Sequence, residues 1–195
     1  MGLITYGAPE RLVLWLKDFA SIKTFVETGT FRAETTEWAA HNFDRVVSIE
    51  ADESLFKAAQ QRLKNARNVS IVFARSQDAL REILAENKEP ALLWLDAHWC
   101  GAGTACEEYE CPVLEEISIA DASPAQHFIL IDDARLFLNP LPAPHNSDHW
   151  PRFPQLLSEL RRTYPDSYIA ILEDVVIRLP ARAAEPFEKF LFDGY

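Results

Sequence analysis

The sequence predicts a doubly wound α/β domain, a mostly parallel seven-stranded sheet with helices on both faces and an antiparallel hairpin at its carboxyl-terminal end. Three observations carry this reading. Short apolar runs alternate with segments of helical periodicity along most of the chain, the pattern of parallel strands joined by crossover helices. The last two β-rich runs are separated only by Glu173-Asp174, far too short for a crossover, so they must pair antiparallel. Between Lys23 and Glu50, an apolar strand, a glycine turn, a helix and a second strand ending in an acid follow one another, which is one complete βαβ unit.

Each element has its own signal. Pro9–Phe19 places Leu12, Val13, Leu16 and Phe19 on one face of a helix, so residues 1–22 form a helical amino-terminal segment leaning on the sheet. Lys23–Glu27 is the first strand and Thr35–Asn42 most of the next helix. Arg45–Glu50 is a short buried strand, and Ser54–Ala66 a helix with Leu55, Ala58, Ala59 and Leu63 inward and Asp52 or Ser54 as its cap. Val69–Ala74, Ala91–Asp96 and Phe128–Asp132 are the third, fourth and fifth strands. Asp78–Glu86 and Pro112–Ala120 are the helices between them, and Phe153–Thr163 is a further helix. Tyr168–Leu172 and Val175–Leu179 make the closing hairpin. The proline-rich stretch 139–154 reads as a long loop near the site, and loops of this length are often functional.

The 195 residues fit one domain spanning 1–195, with no repeat or linker to divide it. A formal net charge of −11 disfavours the phosphate backbone of a nucleic acid as partner. No run approaches the roughly 18 apolar residues of a membrane span, and Tyr6 stands where a myristoylation signal needs Ser or Thr. Three cysteines, Cys100, Cys106 and Cys111, are an odd set that suits a reducing compartment better than a disulfide framework. A cytoplasmic protein without membrane or nucleic-acid partners is expected.

The chemistry concentrates at the strand ends. Glu27-Thr28-Gly29-Thr30 follows the first strand, and Glu50-Ala51 ends the second. A glycine turn lets backbone approach a ligand, and an acid at the next strand tip can accept hydrogen bonds from both ribose hydroxyls, which together make a nucleoside half-site. Leu95-Asp96-Ala97-His98 and Ile131-Asp132-Asp133 end the fourth and fifth strands, and such neighbours lie about 5 Å apart. Three carboxylates brought together repel unless protonated or bridged by a cation, and hard oxygen donors suit Mg²⁺, Mn²⁺ or Ca²⁺. Cys-x5-Cys-x4-Cys beside His98 is a weak zinc spacing. Gly101 and Gly103 point instead to a mobile substrate or lid loop. His145 and His149 also have a metal-ligand spacing, ambiguous without a second pair. Trp99 and Trp150 would either wall a ring-shaped acceptor or anchor their loops, and anchoring is preferred for Trp150.

The order of these motifs resembles the class I S-adenosylmethionine-dependent methyltransferases, whose Rossmann-like sheet ends in such a hairpin. Their acid-x-Gly-x-Gly-x-Gly loop corresponds here to Glu27-Thr28-Gly29-Thr30-Phe31-Arg32-Ala33, with one of three glycines kept. The resemblance implies S-adenosylmethionine as cofactor, held by Glu27, Thr28, Gly29, Thr30, Glu50, Ala51, Ser76, Gln77, Asp78 and Asp96. At Asp96-Ala97-His98 and Asp132-Asp133 the chain looks like the metal-dependent sugar O-methyltransferases. That likeness implies a divalent metal (Mg²⁺ first, Zn²⁺ second) on Asp96, Asp132 and Asp133, and a small-molecule hydroxyl as acceptor. His98 stands at the place of the catalytic base, or would be a fourth ligand. The chain has little beyond the core sheet, so the acceptor pocket is open or is completed by a second subunit of a homo-oligomer. Two alternatives stand beside this reading. A nucleotide-dependent oxidoreductase would also use Glu50 for a ribose, but no Tyr-x-x-x-Lys pair and no glycine-rich dinucleotide loop accompany it. A non-catalytic methyltransferase-like module binding metal or ligand is favoured by the two missing glycines.

Overall fold

The computed structural model describes residues 7–99 and 109–194. One sheet contains β1 Thr24–Thr28, β2 Arg45–Glu50, β3 Val69–Phe73, β4 Leu92–Leu95, β5 Phe128–Ile131, β6 Tyr168–Leu172 and β7 Val175–Leu179. Their order is β3-β2-β1-β4-β5-β7-β6, with β1 to β5 parallel and β7 antiparallel to both its neighbours. The hairpin strands lie where the β-rich runs place them. The chain steps outward from β1 to β3, then returns past β1 to β4. This reversal of direction opens a crevice at the carboxyl ends of β1 and β4.

The helices are α1 Glu10–Ala20, α2 Glu34–Asn42, α3 Glu53–Arg62, α4 Ser76–Glu86, α5 Val113–Asp121, α6 Ala134–Leu138, α7 Phe153–Arg162 and α8 Ala184–Phe192. Alternate residues of each parallel strand feed two cores, which is why β1, β4 and β5 are buried throughout. On one face Val26, Leu93 and Ile129 pack with Leu80 and Leu84 of α4, Ile117 of α5 and Leu156 and Leu160 of α7. On the other, Phe25, Leu92 and Phe128 pack with Leu12 and Leu16 of α1, Ala39 of α2 and Phe187 of α8. Trp15 of α1 stacks on Phe190 of α8 at 4.7 Å.

Some expectations are corrected. Phe19 is partly exposed and stacks flat on Trp15 at 5.3 Å rather than entering the core. Ala58 is exposed because α3 covers the edge pair β2 and β3, where only Ala59 and Leu63 are buried. Asp52 is the cap of α3, its Oδ1 accepting from the backbone of Ser54 and Leu55. The helices α6 and α8 have no counterpart in the sequence reading, the first for its single turn and the second for Pro186 near its start. Arg178 of β7 is fully buried, its guanidinium 2.6 Å from Asp121 of α5.

Candidate active site

The loop after β1 shows how the chain manages with one glycine. Gly29 has φ +85°, and a Cβ there would lie 2.3 Å from the carbonyl oxygen of Asp96 on the adjoining strand end. Phe31 and Ala33 have φ +47° and +60°. The three positions that carry glycine in the methyltransferase loop are thus all left-handed, two of them in residues for which that conformation costs about 1–2 kcal/mol each. Local bonds hold them there. The Ala33 amide donates to the Thr30 carbonyl at 2.8 Å, and the Phe31 amide donates to Glu50 Oε2 at 2.8 Å. Glu50 Oε1 accepts from the Asp52 amide at 2.9 Å. Each carboxylate oxygen keeps a second lone pair for a ligand.

These residues open onto a cleft at the β1/β4 switch point, the place where open α/β sheets bind their ligands. Gly29, Glu50, Ala51, Ser76, Gln77 and Asp96 line it as the sequence leads one to expect. Phe31, Leu55, Tyr109 and Pro112 line it without having been expected to. Glu27, Thr28 and Thr30 are not among its lining residues. Glu27 lies behind the loop, accepting from Thr36 Oγ1 and from Ser48 Oγ at 2.6 Å, and Thr30 Oγ1 bonds Ser48 Oγ at 2.6 Å. Burial pushes the Glu27 carboxyl up to about 7 against those hydrogen bonds. Thr28 Oγ1 accepts from the Asp96 amide at 3.2 Å. These three tie β1, β2, α2 and β4 together beneath the cleft. Asp78 faces a separate surface groove with Arg81 and Glu115, away from the cleft. Glu116 of α5 is a further acid the sequence reading missed. It is buried, and burial raises its pKa against hydrogen bonds from Ser76 and Thr28.

Asp96, Asp132 and Asp133 do come together, around His98. His98 Nε2 lies 2.6 Å from Asp133 Oδ2 and 3.6 Å from Asp96 Oδ1. Asp133 also pairs with Arg135, which in turn pairs with Asp174 in the turn between β6 and β7. Asp132 Oδ1 accepts the Asp133 amide at 2.7 Å. Burial works against a charged His98, yet the bond to Asp133 and the charges of Asp96, Asp133 and Asp132 override it and lift its pKa to about 9. Burial is likewise outweighed at Asp133, where the His98 bond and charge and then Arg135 hold the carboxyl below its usual range. Burial raises Asp96 well above the usual range despite the charge of His98, and with the charge of Asp133 it raises Asp132 to about 6. The repulsion of three carboxylates is therefore answered by an imidazolium and a guanidinium. Among the described residues no three His, Cys, Asp or Glu side chains are arranged to hold a metal ion. The donor set does not fit the metal expected on Asp96, Asp132 and Asp133, because His98 and Arg135 already supply the positive charge at Asp133 and would repel a further cation.

The proline-rich loop does reach the site. Trp150 packs 5.4 Å from the His98 ring, and its indole donates to buried Glu110 at 2.6 Å. Trp99 and Trp150 are both buried, so both anchor their segments. Cys111 is buried and burial raises its thiol pKa beyond the physiological range, while Cys100, Gly101, Gly103 and Cys106 lie outside the described residues. No helix among the described residues is long and apolar enough to cross a membrane.

No protein-family model matches the chain, and no curated protein matches it. Solved structures do. The O-methyltransferase TomG of Streptomyces achromogenes, solved in complex with S-adenosylmethionine, is 18% identical with a TM-score of 0.55, over 90% of this chain and 79% of that one. The Podospora anserina methyltransferase PaMTH1, solved with S-adenosylhomocysteine, is 15% identical with a TM-score of 0.57, over 87% and 76%. A SAM-dependent methyltransferase of Aquifex aeolicus is 13% identical with a TM-score of 0.53, over 88% and 93%. At such identities the likeness speaks for architecture: the chain has the Rossmann-like fold of the S-adenosylmethionine-dependent methyltransferases.

Proposed function

We propose that the protein is an S-adenosylmethionine-dependent methyltransferase acting on a hydroxyl of a small molecule. The observation that carries the reading is the loop from Gly29 to Ala33. It holds the left-handed backbone of a three-glycine cofactor loop at all three positions with only one glycine, and it donates from Phe31 to Glu50, the acid at the tip of the next strand. Strain of this kind persists where surrounding structure over-determines it and is concentrated at functional sites.

The cofactor, when bound, supplies a methyl group made electrophilic by its sulfonium. Glu50 would accept from the ribose hydroxyls with its remaining lone pairs, while Ser76 and Gln77 border the cleft where the family places adenine. The acidic surroundings of the cleft suit a cationic ligand. As the methyl bonds to oxygen, the hydroxyl proton must leave. Asp96 lines the cleft 3.6 Å from His98, whose positive charge favours its ionised form, and is placed to accept that proton. His98 is given a different part from the base expected of it. Already protonated at neutral pH, it steadies the negative charge of Asp96 and Asp133 and is a poor acceptor itself. No step is routed through a metal.

Calorimetric titration of the purified chain with S-adenosylmethionine and S-adenosylhomocysteine, in chelator and then in Mg²⁺, tests the reading. Micromolar binding in both buffers is expected, with Glu50→Ala weakening it at least tenfold through loss of charge-assisted hydrogen bonds worth about 1.5–3 kcal/mol. A folded sample that binds neither compound would move the weight to a non-catalytic module.

A further inference from the structure

Glu110 is a buried acid with no place in the cofactor cleft, although its neighbour Tyr109 lines that cleft. Its side chain is surrounded by donors from a single stretch of the proline-rich loop. Trp150 Nε1 donates to Oε2 at 2.6 Å, and the Asn146 amide donates to Oε1 at 2.8 Å. His145 Nδ1 lies 2.9 Å from Oε2. An ionised carboxylate can only accept, so His145 must present its Nδ1 proton. His149 Nδ1 stands 3.8 Å from Oε1. The Glu110 carbonyl meanwhile accepts the amide of Trp99, one residue beyond His98. One residue thus fastens the loop by its side chain and the end of the Asp96–Trp99 segment by its backbone.

The consequence falls on His98. The Trp150 ring lies 5.4 Å from His98 on one side and 5.6 Å from Phe137 on the other, and His145 packs edge-on against both Trp99 and Trp150. Charge-assisted bonds to the Glu110 carboxylate gather two members of this aromatic wall, His145 and Trp150. We propose that Glu110 is a positioning residue for the acceptor side of the site: its carboxylate seats the 139–152 loop so that Trp150 packs on His98 and keeps that imidazole turned toward Asp133 and Asp96. The loop is then a fixed wall of the site, and His98 has one orientation. The description of this side as the acceptor's rests on the methyltransferase reading, whereas the seating itself does not.

The test compares the wild-type chain with Glu110→Ala, Glu110→Gln and Trp150→Phe. Backbone hydrogen exchange is read over residues 145–150, with α8 as internal reference, and the His98 ring resonances are followed by NMR at fixed pH. Loss of a single charge-assisted bond raises local opening at least tenfold. Exchange over 145–150 should therefore quicken at least tenfold in Glu110→Ala while α8 keeps its wild-type rate. The His98 resonances should move as the Trp150 ring leaves, and Glu110→Gln, which retains one acceptor oxygen, should recover part of both effects. Wild-type protection over 145–150 in Glu110→Ala would overturn the proposal. So would an equal quickening in α8, which would mean general loss of stability, or an unmoved His98 signal beside an opened loop. If the alanine variant does not fold, the glutamine and phenylalanine variants are read by the same criteria, each expected to quicken exchange at Asn146 by less than the full loss. Failure of wild-type protein to bind S-adenosylhomocysteine would refute the proposed activity and leave every one of these readouts intact.

Discussion

Replacing Asp133 by Asn removes one charge from the cluster around His98 while keeping its shape and one hydrogen-bond acceptor. The His98 side chain is almost wholly buried and 2.6 Å from Asp133, so solvent screens the pair little. A pKa lifted from 6.5 to about 9 corresponds to about 3 kcal/mol, at 1.36 kcal/mol for each tenfold change. Without the Asp133 charge, burial is opposed only by Asp96 and Asp132 among the carboxylates that raise it, and the His98 pKa should fall below about 9. Because the folded pKa is the raised one, the stabilisation is complete below about 6.5 and disappears as pH rises through about 9. The lowered pKa of Asp133 acts in the opposite sense, its contribution being present above the ordinary carboxylate range and lost as pH falls through the depressed value. The gap between wild type and Asp133→Asn should therefore be widest between roughly pH 5 and 7, at about 2–3 kcal/mol, and should shrink by pH 10. For a chain of this size that gap is about 4–12 °C in melting temperature. Thermal and urea unfolding in chelating buffer would measure it, with His98 followed by NMR. A gap as wide at pH 10 as at pH 7, or a wild-type His98 that titrates near 6.5, would refute the reasoning.

Other consequences can be checked alongside. Gly29→Ala has no room for its Cβ beside the Asp96 carbonyl, so it should lower stability by about 2–4 kcal/mol and abolish cofactor binding by calorimetry. Glu27 is raised to about 7 by burial, so its ionisation penalty is absent below about 4.5 and complete above about 7. Glu27→Gln should then be more favourable at pH 8 than at pH 5, relative to wild type, by up to about 2 kcal/mol in urea unfolding. Divalent ions should bind the wild-type chain no better than millimolar, whereas Arg135→Met strips a cation from Asp133 and should tighten Mn²⁺ binding measured by electron paramagnetic resonance. Micromolar Mn²⁺ binding to wild type would restore the metal reading.

Local pattern made most of the sheet legible, because parallel strands buried on both faces leave plain apolar runs and the short Glu173-Asp174 turn admits one connection only. The acids at the strand ends were legible for the same reason: a strand's last residue reports where its side chain emerges. Side-chain direction was not legible. Glu27 was expected in the cleft and turns behind it to Ser48 and Thr36, which approach from β2 and α2. The compensating charges were also hidden in part, since Arg135 is shared with Asp174 of the hairpin turn, which lies far along the chain. Glu110 gave no signal because its partners lie 35 to 40 residues away. The left-handed backbone at Phe31 and Ala33 could not be inferred from residues that normally avoid it.

The insertion of the last strand between β5 and β6 has a bearing on how the nascent chain folds. While the ribosome is still adding residues, β5 (Phe-Ile-Leu-Ile) has an unpaired apolar edge toward the place β7 will take. Tyr168–Leu172 emerges first but cannot satisfy that edge in the native order. The hairpin joins the sheet through β7 alone, which also brings Arg178 to Asp121. Translation products that stop short of Leu179 should be aggregation-prone and dependent on chaperones, whereas those that reach it can seal the edge in one step.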